Sequence, residues 1–177
     1  SGNAIPLEGG IVLSTSRMNQ ILQMDFRNRQ AVVEPGVVNL NLSKAAMTGG
    51  FNYLPDPSSE KASSIGGNVA TNAGGPHTLA SGVTTNHVTG LELVTADGEI
   101  VQTGSLSSGI TGPGYDLTGL LVGSEGTLGI ITKIAVRLVH QLESVRTMLA
   151  VFSSVDIACR AVSEIIGNGI VPAALEL

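Results

Sequence analysis

The sequence predicts an α+β fold, a largely antiparallel sheet with flanking helices, and three observations predict it. Short polar links join apolar runs at Arg27-Asn28-Arg29 and at Asp97-Gly98, as hairpins require. Residues 127–139 alternate apolar and polar over an unusual length, as a half-buried strand does. Helical periodicity is confined to short stretches interspersed among the strands.

Element by element, Ile11-Val12-Leu13-Ser14 reads as a short strand, and residues 21–26 and 31–34 form the first hairpin. Pro35-Gly36 breaks the second of these strands. Asn39 is expected to cap a helix running through Met47, stopped by Gly49-Gly50. Pro55-Asp56-Pro57-Ser58-Ser59 is a turn, because its prolines fix φ and donate no ladder hydrogen bonds. Ile65, Val69 and Ala73 give the next segment one apolar helical face, closed by Gly74-Gly75.

Residues 88–96 and 99–103 are strands around Asp97-Gly98, and residues 106–114 form a surface loop. Asp116 caps a short helix towards Val122. The strand over residues 127–139 is long enough to require a bulge or bend. Residues 145–152 read as another strand. The clearest helix starts at Ser153 or Ser154, with Ile157, Ala161 and Ile165 beside Ala158, Val162 and Ile166 on one stripe. Gly167 and Gly169 end it, and residues 170–177 return as a strand.

The 177 residues suit one domain or two small lobes sharing a core. Hydrophobic residues make up 42% and charged residues only 13%, against about 25% charged in a solitary soluble domain. Part of the surface is therefore expected to be covered. No apolar run reaches the roughly 20 residues that cross a bilayer, and no signal peptide is expected. Net charge is −5 and the basic residues are scattered, which argues against nucleic acid. Cys159 is the sole cysteine, so an internal disulfide is impossible and a reducing compartment fits.

Function is most legible between Lys61 and Lys133. That interval has no other lysine or arginine, yet it holds 15 of the 23 glycines. From Lys61 to Leu91 it also lacks aspartate and glutamate. Bare backbone without charge of either sign points to a nucleotide diphosphate held by peptide N–H groups. The Rossmann string G-x-G-x-x-G and the P-loop string are both absent. Three other segments could serve: Pro55 to Ser59, Ser64 to Gly75, and Gly123-Ser124-Glu125-Gly126-Thr127-Leu128-Gly129-Ile130-Ile131-Thr132. In the last, glycine falls at every third position, letting main chain lie against a flat ring.

These segments, with Gly82-Val83-Thr84-Thr85-Asn86-His87-Val88 and Pro113-Gly114-Tyr115-Asp116-Leu117-Thr118-Gly119-Leu120, resemble FAD-linked oxidases of the vanillyl-alcohol-oxidase/PCMH superfamily. The glycolate oxidase flavoprotein and D-lactate dehydrogenase group is the nearest. The resemblance covers essentially the whole chain and implies a PCMH-type FAD-binding fold of two α+β subdomains with the cofactor between them. Residues 1–60 would be the remainder of the first subdomain and a linker, and 61–177 the second.

Carried over, Ile65, Gly66 and Gly67 would supply diphosphate amides, with Pro55, Ser58, Ser59 and Ser64 on the same wall. Asn72, Gly74, Gly75 and His77 would approach the flavin ring, and Gly82, Val83 and Thr84 would continue that wall. Glu125, Gly126 and Ile130 would border the adenosine end.

Two departures stand out. The family's opening P-R-G-A-G-T-G loop is expected just before Ser1, and its cap domain after Pro172-Ala173-Ala174-Leu175-Glu176-Leu177. Ala80-Ser81 replaces a pair that is often lysine-tyrosine.

The implied function is oxidation of a 2-hydroxy acid, glycolate or D-lactate, by hydride transfer to flavin N5. The base would lie in the cap, and electrons would pass to a quinone, an iron–sulfur partner or oxygen. An electron-transfer subunit is the implied partner, in the cytoplasm or peripheral to the membrane through that partner. The alternative is a non-catalytic flavin-fold subunit or truncated module.

Plainer readings stand beside these. His77 and His87 are general-base candidates or packing residues, and His140 is solvated. Glu125 binds either backbone amides or a ribose. Asp56 between prolines forms a turn, and Cys159 is a buried packing residue. No His-x-x-x-His or carboxylate cluster suggests a metal.

Overall fold

A computed structural model describes residues 9–106 and 114–176. Its centre is a five-stranded sheet in the order β1-β2-β6-β4-β5, antiparallel at every junction. β1 (Ile21–Asp25) and β2 (Gln30–Val33) form the expected hairpin. Asp25 organises its turn by accepting from the Asn28 backbone and side-chain amides at 2.9 and 2.7 Å. β4 (Val88–Val94) and β5 (Ile100–Gly104) form the second hairpin. Its link is longer than two residues at Asp97-Gly98: the Thr95 N–H donates to the Glu99 carbonyl at 2.9 Å, leaving three residues in the loop. Gly98 takes φ of +81°, as a three-residue link with a glycine bulge requires.

β6 (Ile130–Arg137) lies between β2 and β4, which is why an all-apolar stretch such as Ile134-Ala135-Val136 is fully buried. The bulge expected from its length is present. Glu92 pairs Lys133 while Leu93 pairs Ile131, so Thr132 is the extra residue. Its hydroxyl turns onto the Glu92 carboxylate at 3.0 Å. A small second sheet pairs β3 (Phe51–Asn52) with β7 (Val139–His140).

The helices lie against this frame. α1 (Asn39–Met47) buries Leu42 and Ala46, and α2 (Ile65–Thr71) buries Ile65 and Val69. α3 (Thr78–Ser81) and a 3-10 turn (Thr84–Asn86) follow at once. α4 (Leu117–Leu121) is capped by Asp116, whose carboxylate accepts from the Gly119 N–H at 2.8 Å. α5 (Val155–Gly167) is capped by Ser154.

Several expectations are corrected. Residues 11–14, 145–152 and 170–176 form no strand; Ile11 and Leu149 are more than nine-tenths exposed and their backbones have no ladder partner among the described residues. Apolar alternation alone makes no strand without a neighbour to take its hydrogen bonds. Asn39 does not cap α1, since Val38 holds that position and the Asn39 side chain points inward. α2 ends on Asn72 in the left-handed conformation rather than on Gly74-Gly75. Cys159 is exposed, because only Ala158 of the α5 stripe is fully buried. The loop expected over residues 106–114 lies almost wholly outside the described residues.

Candidate functional site

Ser64 starts α2 by accepting from the Gly67 N–H at 3.1 Å, the arrangement its sequence position favours. The two preceding donors are also engaged. The Ile65 N–H donates to the Val37 carbonyl and the Gly66 N–H to the Pro35 carbonyl, both at 2.8 Å. The expectation that Ile65, Gly66 and Gly67 offer free amides to a diphosphate is therefore corrected. Those donors tie α2 to the segment that follows β2. Gly66 is required for a different reason: an added Cβ would lie 2.5 Å from the Pro35 Cβ and 2.8 Å from its carbonyl oxygen.

The predicted segments do converge, but at the opposite end of α2. The Asn72 side-chain oxygen accepts from the Thr85 N–H at 2.9 Å. The Thr84 amide and hydroxyl both donate to the Ala73 carbonyl, at 3.1 and 2.7 Å. Gly75 donates to the Thr78 hydroxyl at 2.8 Å and packs so tightly on Asp56 that a Cβ would overlap the Asp56 backbone. The loop over residues 123–127 closes the other flank, with Gly123 donating to the Val69 carbonyl and Glu125 to that of Ala70. Gly126, with φ of +78°, has open space where a Cβ would stand.

His77 and Asp56 meet on this surface, with Nδ1 and Oδ2 2.5 Å apart and both residues partly exposed. Sequence reasoning took Asp56 as a turn former; the partnership depends on Gly75 bringing the Asp56 backbone against the loop, which no local spacing signals. Asn86 was also missed. Its side-chain oxygen accepts from the Val83 N–H at 2.9 Å and sits where a Gly82 Cβ would stand. The Gly74 and Gly126 amides have no internal partner among the described residues. Ser58 and Ser59 are exposed, whereas Pro55 and Thr84 are buried in the wall's support. Ile130 stands apart, paired with Val94 in the sheet.

Behind the wall is a buried polar frame. Asn39 donates to the Pro55 carbonyl at 2.9 Å and accepts from the Asn68 side chain at 3.1 Å, joining α1, α2 and the proline turn. Replacing Asn39 with alanine would leave the Pro55 carbonyl and the Asn68 amide unpaired. Urea denaturation should show a loss of about 1–3 kcal/mol.

His87 is buried beside this frame, edge-on to Tyr53 with ring centroids 6.3 Å apart. Burial pushes the Tyr53 phenol upward. Burial also holds His87 below the ordinary histidine value, aided by the Arg137 charge and opposed by its hydrogen bond to the Ser81 carbonyl. Folding thus favours neutral His87. Its contribution is intact above the unfolded value of about 6.5 and falls as pH drops from there towards the lowered folded value. Thermal melts of His87→Gln should show a flatter pH dependence below that point than wild type.

This glycine-lined surface, rich in main chain, borders an antiparallel sheet flanked by short helices. Together they define a cofactor-binding domain of the PCMH type. The chain belongs to the FAD binding domain family, whose profile matches residues 1–104, and FAD is its cofactor. It is 49% identical over 176 residues to "Glycolate oxidase subunit GlcD" of Bacillus subtilis, covering 99% of this chain and 37% of that protein. It is 42% identical over 176 residues to a D-lactate dehydrogenase of Archaeoglobus fulgidus, covering 99% and 39%.

Among solved structures, an alkyldihydroxyacetonephosphate synthase superimposes with a TM-score of 0.74 at 26% identity, covering 90% of this chain and 28% of that one. The chain thus spans little more than a third of the length of these curated relatives. Among the described residues no helix is long and apolar enough to cross a membrane, and no histidine, cysteine and carboxylate cluster could hold a metal.

Proposed function

We propose that residues 1–177 form the FAD-binding portion of a flavin-dependent oxidoreductase that oxidises a 2-hydroxy acid, glycolate or D-lactate. The observation that carries this reading is the 49% identity to GlcD across 99% of the chain. Bound FAD would supply the acceptor for the hydride on the substrate's hydroxyl-bearing carbon. Asn72, Gly74, Gly75, Gly82 and Val83 would present main chain to the ring, held in shape by Thr84 and Thr85.

His77, oriented by Asp56 through Nδ1, is left with Nε2 free to hold or release a proton at the edge of that wall. With residues 65–67 engaged, the donors available to the diphosphate are the Gly74 and Gly126 amides and the hydroxyls of Ser58, Ser59 and Ser64. Glu125, next to Gly126 in the loop and without a side-chain partner among the described residues, suits a ribose. An electron-transfer subunit is the expected partner, and the cytoplasm, at or near the membrane face, the expected location.

Anaerobic spectroscopy on the protein encoded by the complete gene tests this reading. Glycolate or D-lactate should bleach the visible flavin band, and acetate should not. Flavin that stays oxidised with every 2-hydroxy acid would reject the activity and favour a non-catalytic flavin subunit.

A further inference from the structure

His87 lies between the 3-10 turn and β4, 5% exposed, and closes a loop over residues 81–87. Its Nε2 stands 2.8 Å from the Ser81 carbonyl, and its own N–H donates to the Thr84 carbonyl at 2.9 Å. Gly82, Val83 and Thr84, proposed above to belong to the flavin wall, lie inside that loop. The Gly82 N–H is held by the Thr78 carbonyl at 2.9 Å, and the Asn86 side chain holds that of Val83. The imidazole therefore ties the start of this stretch to its end.

A carbonyl only accepts, so Nε2 carries the hydrogen and Nδ1 is bare in the neutral ring. Nδ1 is enclosed by protein and has no hydrogen-bond partner among the described residues. Two titratable or charged groups face the ring. Tyr53 stands edge-on to it, and Arg137 adds its positive charge while its N–H bonds the His87 carbonyl at 2.7 Å. No carboxylate bonds either ring nitrogen. A proton added at Nδ1 would create a charged N–H without acceptor, water or counter-ion, near a guanidinium. The closed loop thus accommodates imidazole and not imidazolium. A protonated ring must swing out, and the tie to Ser81 breaks with it.

We propose that His87 is a positioning residue for the flavin: when neutral it locks residues 81–84 in the shape that receives the cofactor, and when protonated it releases them. The proposal rests on the placement of residues 82–84 in the flavin wall. His87 acts through the Ser81 carbonyl. FAD binds the closed loop and the proton favours the open one, so the two compete. Burial holds His87 below the ordinary histidine value. FAD affinity is then constant above about pH 6.5 and falls on the acid side of it.

Fluorescence titration of FAD with the protein encoded by the complete gene, at about pH 7.5 and about pH 5, tests the coupling. Wild type should bind roughly five-fold more weakly in acid, or worse. His87→Gln keeps an amide donor for Ser81 but takes up no proton. Its affinity should match wild type at the higher pH and lose the acid weakening. The Asp56–His77 pair is intact in that variant, so a fall as large as in wild type would assign the effect to the pair and overturn the proposal. His87→Leu removes the donor and should weaken FAD at least roughly ten-fold at either pH; wild-type affinity there would also overturn it. Hydrogen exchange on the protein as purified reads the loop apart from flavin affinity. Amides 82–87 should lose protection in acid in wild type and keep it in His87→Gln. Protection unchanged by acid in wild type would overturn the proposal even with the flavin wall correctly placed. A loop that opens in acid while FAD affinity stays constant would overturn it by removing residues 82–84 from that wall.

Discussion

Replacing Gly66 with alanine should lower stability by about 3 kcal/mol, and valine by more, because it overpacks a contact that cannot retreat. The added Cβ would sit 2.5 Å from the Pro35 Cβ, 2.8 Å from its carbonyl oxygen and 3.0 Å from its Cα. These are proline ring and backbone atoms, so no side-chain rotation relieves the overlap. The same shift would pull the Gly66 N–H off the Pro35 carbonyl, a 2.8 Å hydrogen bond in the hinge between β2 and α1.

Gly67 is the internal control. A Cβ there meets only the Ser64 hydroxyl, at 3.2 Å. Alanine favours a helix over glycine by about 1 kcal/mol, so Gly67→Ala should be neutral or mildly stabilising. Urea denaturation of both variants checks the contrast. Equal behaviour would mean that the Pro35 contact gives way and does not require glycine at position 66.

Gly75→Ala should weaken FAD binding 100-fold or more, about 2.7 kcal/mol, while the five-stranded sheet persists. The new Cβ would overlap the Asp56 carbonyl and lie 2.7 Å from its carbon and 2.9 Å from Oδ1. Asp56 is anchored between two prolines and joined to His77. The overlap therefore displaces the strip of main chain proposed to face the ring, together with its histidine. None of these residues belongs to the sheet, whose core runs through Val33, Leu91, Ile134 and Val136. Fluorescence titration of FAD, with far-ultraviolet circular dichroism as the fold control, decides the matter. Wild-type affinity in Gly75→Ala would remove residues 72–77 from the flavin wall.

These two glycines also show how far the sequence could be read. The paired glycines at 66 and 67 drew attention as a phosphate cradle because bare backbone is the property a phosphate needs. It is equally the property that close packing needs, and Pro35 takes that place at Gly66. Asp116 and Ser154 were legible as caps because the hydrogen bond that defines a cap spans three residues. The bulge in the strand over residues 127–139 was legible from length alone and falls at Thr132. Asn39 misled because a buried asparagine and a capping asparagine look alike until its neighbours are known. The strand patterns at 11–14 and 145–152 misled for the same reason, since alternation describes side chains and not the partner strand.

Taken by itself, the sequence determined the α+β class, the two hairpins, the starts of α4 and α5, and the flavin family its motifs resemble. Each of these rests on relations within a few residues or on the order of motifs along the chain. Tertiary structure alone decided which peptide N–H groups were already taken, that Asp56 meets His77, and that Asn39 bridges Pro55 and Asn68. Those outcomes depend on partners brought together by sheet register and helix packing, and nothing within a few residues of Ile65 or Gly66 marks Val37 or Pro35 as the acceptor.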